Sequence, residues 1–160
     1  MNFGITNFNV ALPAKLAADT ILRCNEQISA RGLVLSERQA ATLAEASISA
    51  LNSCGRIEFG GETIKKLILS FSDSPFLCQN NFSNTVCELI DIFYYFKNET
   101  LDIVSDDRLI SVMKDAFDGI CSGDLEFLSG TVLDMLSREV KGMGDIEAKE
   151  TEKEDWHDGY

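Results

Sequence analysis

Two polar segments of this sequence carry the side chains that could perform chemistry. The first, "GRIEFGGET", follows a helical pattern, and the second, "NETLDIVSDD", follows a run of aromatic residues. Two carboxylates brought close together can transfer protons or hold a metal ion. Loops held by rigid helices are also where binding residues tend to be found. The candidate functional residues are therefore Arg56, Glu58, Gly60, Gly61, Asn98, Glu99 and Asp102.

Histidine and cysteine chemistry has little support in the sequence. The single histidine, His157, lies in a charged C-terminal stretch, so a histidine-based triad or zinc motif would require that stretch to fold back. The cysteines number five, form no CxxC pair, and are expected to be reduced thiols. Cys24 and Cys87 fall on or beside apolar helix faces and are expected to pack as small hydrophobic residues. We assign no catalytic residue.

Two motifs that suggest ligand binding fail on inspection. In "DAFDGICSGDLE", an EF-hand loop starting at Asp115 would place Ile120 where a glycine is required. A loop starting at Asp118 would end on Ser129 in place of a bidentate glutamate. The segment "GRIEFGGET" has the glycine spacing of a P-loop, but Gly-Glu replaces Gly-Lys, and Glu62 would repel a phosphate. The sequence therefore predicts no metal and no cofactor.

Charge and hydropathy exclude further classes of protein. The formal net charge is −12, with an excess of acid in both the body and the C-terminal stretch, so nucleic acid and anionic membranes would be repelled. No apolar run is long enough to span a bilayer, and the N-terminus does not have the pattern of a signal peptide. These features predict a cytoplasmic protein that binds neither nucleic acid nor membrane.

The elements that must position the candidate residues are helices. Apolar residues recur at spacings of three and four, which indicates amphipathic helices. We predict an all-α fold: one compact bundle of five to six helices over residues 1–142, a short extended linker near residues 55–61, and an acidic tail, 143–160, that is disordered. Ser36 with Gln39 forms a capping box, Ser105 is a helix N-cap, and Pro13 suits a first helical turn. The inward-facing sets include Ala17, Ile21, Cys24 and Ile28; Ala41, Ala44, Ile48 and Leu51; Ile64, Leu67, Ile68 and Phe71; Leu109, Val112, Met113, Ala116 and Ile120; and Leu128, Val132, Met135 and Leu136.

The run "IFYYFK" is expected to lie inside the bundle. Val86, Leu89, Ile90, Phe93 and Phe96 form a helical stripe, and neighbouring apolar residues widen it over most of the helix. A helix that is apolar around most of its circumference is usually central. The helix from Ser83 to Lys97 is therefore predicted to be the centre of the bundle.

Several stretches resemble a small bacterial family of unknown function. They are "GRIEFGGETIKKLILSFSDSPF" and "LIDIFYYFKNETLDIVSDDRLISVMKDAFDG", with "LVLSERQA" upstream and "GDLEFLSG" downstream. The resemblance extends roughly from Cys24 to Gly130. It implies a compact cytoplasmic bacterial domain and supplies no catalytic residue.

Three function classes remain open from the sequence. The first is a non-enzymatic interaction or regulatory module that binds another protein, and it requires exposed apolar surface. The second is a small-molecule or metal-binding enzyme whose carboxylates, from segments 56–62 and 98–107, converge in one cleft. The third is a structural subunit of a homo-oligomer or larger complex, with Tyr94 or Tyr95 as an interface anchor. The first is the favoured hypothesis.

Overall fold

The computed structural model describes residues 3–58 and 61–142, with side chains from residue 12 onward. All regular structure in these residues is helical and no strand is present among them, which confirms the all-α prediction. The predicted tail, 143–160, with His157, lies outside the described residues. The first six helices are α1 (Phe3–Arg23), the short α2 (Asn25–Ile28), α3 (Glu37–Ser53), α4 (Glu62–Phe71), α5 (Phe82–Glu99) and α6 (Asp106–Asp118). The last helix, α7, has three parts: it begins with Leu125–Phe127, continues as a π-helical segment, Leu128–Leu133, and returns to α-helix over 134–142.

Side-chain caps fix where several helices begin and end. The Ser36 hydroxyl accepts from the backbone N–H of Gln39, and the Gln39 side chain accepts from the N–H of Ser36, which confirms the capping box. The Ser105 hydroxyl accepts from the N–H of Arg108 at 3.2 Å and starts α6. Gly32 adopts a φ of 79°, a left-handed conformation that ends the short 3₁₀ turn after α2. These boundaries follow from local chemistry that the sequence already contains.

The N-terminal helix is longer than predicted. Helix α1 begins at Phe3, so Pro13 lies inside it and not in its first turn. Proline within a helix removes a backbone hydrogen bond. The Pro13 ring is half-buried and, with Ser47, Ile48 and Leu51 of α3, lines a small cavity. This contact with α3 is tertiary, and local sequence rules do not contain it.

Helix α5 lies at the centre of the core, as predicted. It packs against α3, α4 and α6, and its stripe residues are all buried. Phe93, Tyr94 and Phe96 point inward, whereas Tyr95 is 57% exposed. The buried side chains of the described helices form one hydrophobic cluster. The aromatic run is therefore mostly interior, with one ring at the surface.

Helices α3 and α6 bury faces that differ in part from the predicted ones. In α3, Ala41 is exposed and Ile48 only half-buried, while Ala40, Leu43 and Ser47 face the core. The helix is rich in alanine, so several faces satisfy the same spacing. In α6, Phe117 is buried and Ile120 is 72% exposed, because the helix ends at Asp118 before it can turn Ile120 inward.

The π-helical segment changes the buried face of α7. Leu128 and Leu133 are both buried, which is a spacing of five residues, as in the i→i+5 geometry of a π-helix. The predicted α-helical spacing placed Met135 inward, and Met135 is exposed. The prediction failed because it assumed an uninterrupted α-helix.

Ion pairs join α4 and its following turn to α6. Lys66 pairs with Asp107 at 2.9 Å, and Lys114 pairs with Asp73 at 2.8 Å. The hydrogen bond from Lys114 holds the pKa of the Asp73 carboxyl below its ordinary value.

Among the described residues, no helix is both long and apolar enough to cross a membrane.

Gly61 is a linker position where the neighbouring helices leave little room for a side chain. Its φ is 71°, and a Cβ there would lie 3.2 Å from the Cα of Ala17 in α1 and 3.2 Å from Ile64 Cγ2. Gly55 has a similar φ of 67° with nothing within 4 Å of its Cβ position. Gly55→Ala should lower the free energy of unfolding by about 1 kcal/mol, the cost of a left-handed alanine. Gly61→Ala should lower it by about 2–4 kcal/mol, because overpacking against α1 is added.

Urea denaturation of both variants measures the difference between the two positions. Equal losses at Gly55 and Gly61 would show that α1 does not press on the linker.

Candidate functional site

The linker between α3 and α4 crosses the C-terminal half of α5 and is fixed there by its charged side chains. Arg56 donates from Nε to Asn98 Oδ1 at 3.0 Å and from Nη2 to Asp102 Oδ1 at 2.5 Å. The structure thus joins the two segments that the sequence could only propose separately. Arg56 connects the linker to both the last turn of α5 and the loop that follows it.

Glu58 faces inward and uses both of its oxygens. Oε1 accepts from the backbone N–H of Thr63 at 2.9 Å, and Oε2 accepts from the Thr63 hydroxyl at 2.9 Å and from the Tyr94 hydroxyl at 2.8 Å. Thr63 is in the first turn of α4, where backbone N–H groups have no partner within the helix. Glu58 therefore caps α4 from outside and links it to α5.

Burial and the Glu58 carboxylate together change the acidity of Tyr94. Tyr94 is buried, and burial, the hydrogen bond to Glu58 and the negative charge of Glu58 all raise its pKa well above the usual value. The hydroxyl stays protonated and remains a donor over the whole physiological range. Its role is structural, so Tyr94 is not available as the interface anchor that the subunit hypothesis required; Tyr95 still is.

The loop after α5 is held by a buried lysine. Lys97 donates from Nζ to the carbonyl of Val104 at 2.5 Å and pairs with Asp106 at 2.8 Å. Between these contacts, Leu101 and Asp102 adopt φ values of 55° and 60°. Left-handed backbone at non-glycine residues is unfavourable and persists where the surroundings enforce it. The sequence alone gives no sign of this role for Lys97.

The other candidate residues separate from one another. Glu99 turns away from Arg56 and accepts from Lys141 Nζ of α7 at 2.7 Å. Gly61 has the left-handed conformation that starts α4, and Gly60 lies outside the described residues. The structure brings Arg56, Asn98 and Asp102 together, with Glu58 on the inner side of the same linker.

The carboxylates of the two segments do not share a cleft. Asp102 pairs with Arg56, Glu99 with Lys141, and Asp106 with Lys97, each with its own cation. Glu58 lines a cavity of about 10 Å³ beneath the linker, whereas Glu99 lines a groove between α3 and α5. Over the described residues, no group of three metal-binding side chains is found. Each of these three acidic side chains, Asp102, Glu99 and Asp106, is thus neutralised by a separate basic side chain.

The acidic turn before α7 also has a structural role. Asp124 Oδ1 accepts from the N–H groups of Glu126 and Phe127 and so caps α7. Asp118 accepts from the Ser74 hydroxyl at 2.6 Å.

All five cysteines are free thiols, and burial raises the pKa of Cys24 and Cys121.

Removing the Glu58 carboxylate should destabilise the fold. Glu58→Ala leaves the buried Tyr94 hydroxyl without its acceptor and removes a cap of α4, so the free energy of unfolding should fall by about 1–3 kcal/mol. The matched variant Glu62→Ala, at an exposed position in the same helix start, should lose less than about 1 kcal/mol. Urea denaturation compares the two. An equal effect would show that Glu58 is a surface residue in solution.

The raised pKa of Tyr94 predicts a loss of stability in alkali. The folded state favours the protonated hydroxyl, so its contribution is complete below the unfolded tyrosine pKa of 10.0 and declines as the pH rises beyond it. In thermal unfolding at stepwise higher pH, Tyr94→Phe should lose less stability above that pH than the wild type does. Tyr95→Phe, at the exposed neighbour, should behave as the wild type. A wild-type-like profile for Tyr94→Phe would contradict the assignment.

Comparison with known proteins places the chain in a family and goes no further. A model of a family of unknown function, DUF6323, matches residues 20–145, which is slightly more of the chain than the resemblance seen in the sequence. No curated protein matches the chain, and no solved structure matches it. The match confirms the resemblance and adds no activity. This chain belongs to the family of unknown function DUF6323.

Proposed function

We propose that this protein is a non-enzymatic interaction module that binds another protein through the surface formed by linker residues 55–58 and loop residues 100–104. The observation that carries the proposal is the exposure of three large apolar side chains on these segments: Ile57 is 83% exposed, Leu101 68% and Ile103 63%. The contact between Arg56 and Asp102 joins the two segments that carry these side chains, and apolar side chains grouped on a surface, unlike scattered ones, commonly mark interaction sites. We call these three residues the apolar surface.

The segments that carry the apolar surface are fixed before any partner binds. Ile57 lies between Arg56 and Glu58, both of which are bonded to α5 or the loop after it. Leu101 is adjacent to Asp102, the partner of Arg56, and Lys97 holds the far end of that loop. A surface that is already ordered loses less conformational entropy when it binds. This rigidity supports a role in recognition.

The charge around the apolar surface indicates what the partner presents. Asp102, Asp106 and Asp107 lie in or beside the loop, but each already pairs with a cation of this chain, so the bias toward a basic partner comes from the charge of the chain as a whole. The chain as a whole carries a net charge of −12. Complementary charge speeds association and suppresses wrong partners. The proposed partner is a different protein whose contacting patch is apolar at its centre and basic at its rim.

The proposal places the module in the bacterial cytoplasm. Free thiols at all five cysteines are in keeping with a reducing compartment. For the enzyme alternative, the described carboxylates offer no convergence that would favour it. A second copy of this chain is the remaining alternative partner, and the experiment below distinguishes it.

Polar substitutions in the apolar surface should weaken partner binding strongly. The double variant Ile57→Ser, Leu101→Ser should weaken capture of the partner at least about tenfold, because apolar anchors at the centre of an interface carry most of its energy. The control is Ile120→Ser, which changes a residue 72% exposed after α6. The measurement is quantitative affinity purification of each tagged variant from the native host, after circular dichroism shows that each is folded.

Two outcomes would contradict the proposal. Equal capture by the double variant and by Ile120→Ser would show that the apolar surface is not the binding site. A concentration-dependent dimer in light scattering, lost in the double variant, would show that the surface binds a second copy of this chain.

A further inference from the structure

A groove of about 380 Å³ lies between the C-terminal ends of α3 and α5. The last turn of α3 contributes one side of it, and the last two to three turns of α5 contribute the other. Its size falls within the range of small-ligand sites, roughly 300–1,000 Å³. The lining residues include Ser49, Ser53, Cys54, Asp91, Tyr95 and Glu99.

The charged side chains that line the groove are all acidic. Asp91 and Glu99 are the charged side chains that line it, and no lysine or arginine is among the described lining residues. The last residues of α3 and α5 are among those that line the groove, and a helix C-terminus carries a partial negative charge. Carboxylates and helix ends therefore act in the same direction and favour a positively charged group.

An ammonium group already occupies one end of the groove. Lys141 of α7 places Nζ 2.7 Å from Glu99 Oε2. At the other end, Asp91 forms no ion pair with any described side chain. Tyr95 lies between the two acids, four residues from each along α5, and exposes its ring in the groove. A cation next to Asp91 would meet both a carboxylate and an aromatic face.

We infer that the groove between α3 and α5 binds an alkylammonium or guanidinium group, which pairs with Asp91 and stacks on Tyr95. The group can belong to a free polyamine or to a lysine or arginine side chain of a peptide; the recognition chemistry is the same. The site uses none of the three residues of the apolar surface, so it does not depend on the proposed function. Lys141 is its internal competitor at Glu99.

Titration with spermidine and, separately, with a tri-lysine peptide amide tests the inference. Backbone amide shifts of the isotope-labelled protein should concentrate in Ser49–Cys54 and Asp91–Glu99. Asp91→Asn and Tyr95→Leu should each weaken binding about two- to five-fold. The control for diffuse charge is Asp115→Asn, which removes an exposed acid from the groove between α4 and α6 and should have the smaller effect.

Removing the internal competitor gives a result of opposite sign. Lys141→Ala frees the Glu99 carboxylate and should strengthen binding of both probes. Lys66→Ala removes an equally exposed lysine from the other groove, at 45% for each side chain, and should not strengthen binding to the same extent. Tighter binding of the peptide than of spermidine would assign the site to a peptide side chain, and the reverse order would assign it to a free polyamine.

The inference is overturned by any of three results. Asp115→Asn could weaken binding as much as Asp91→Asn, the amide shifts could spread over the whole acidic surface, or neither probe could shift the groove amides at all.

Discussion

The carboxylate of Glu58 is the contact on which the arrangement of the linker depends. It joins the first turn of α4, through Thr63, to the C-terminal half of the central helix, through Tyr94. Both partners are buried, and a buried donor without an acceptor costs about 1–3 kcal/mol. The contact therefore satisfies a hydroxyl within the core and a helix end at its edge at the same time. Gly61, two residues before Thr63, approaches Ala17 of α1 closely.

An extended backbone alternates the direction of its side chains, and the linker shows what that alternation produces. Glu58 points inward and Arg56 reaches across to α5 and the loop beyond it, so Ile57 between them faces solvent. The charged residues that suggested chemistry in the sequence thus serve as supports. The residue between them, which suggested nothing, is the most exposed large apolar side chain described.

The sequence predicts this fold well where local signals are strong. The caps at Ser36 and Ser105 and the buried stripes of α4 and α5 were all predicted, because capping and unambiguous periodicity are local properties. The buried face of α3 was partly wrong because alanine fits more than one face. Pro13 lies inside α1 and lines a small cavity with residues of α3, a tertiary feature that no local rule contains.

The candidate site was predictable only as two separate segments. Arg56 meets Asn98 and Asp102 across 42 and 46 positions of the chain, and one sequence shows no sign of such pairs. The role of Lys97 is hidden in the sequence for a related reason. Its buried ammonium is stabilised by Val104 and Asp106, whose positions are set by the backbone of the loop. A charged side chain can be buried only where it finds hydrogen-bond or ion-pair partners, and the tertiary structure determines which partners are near.

The π-helical turn Leu128–Leu133 sets the rotation, about the helix axis, of the α-helical residues 134–142 that follow it. In an α-helix each residue advances the direction of the side chain by about 100°. The number of residues in this one turn therefore determines the direction in which the side chains of residues 134–142 point. One of them is Lys141, whose ammonium reaches Glu99 of α5. A change of length by a single residue there would swing that ammonium away and uncover the acid, with no alteration to either side chain.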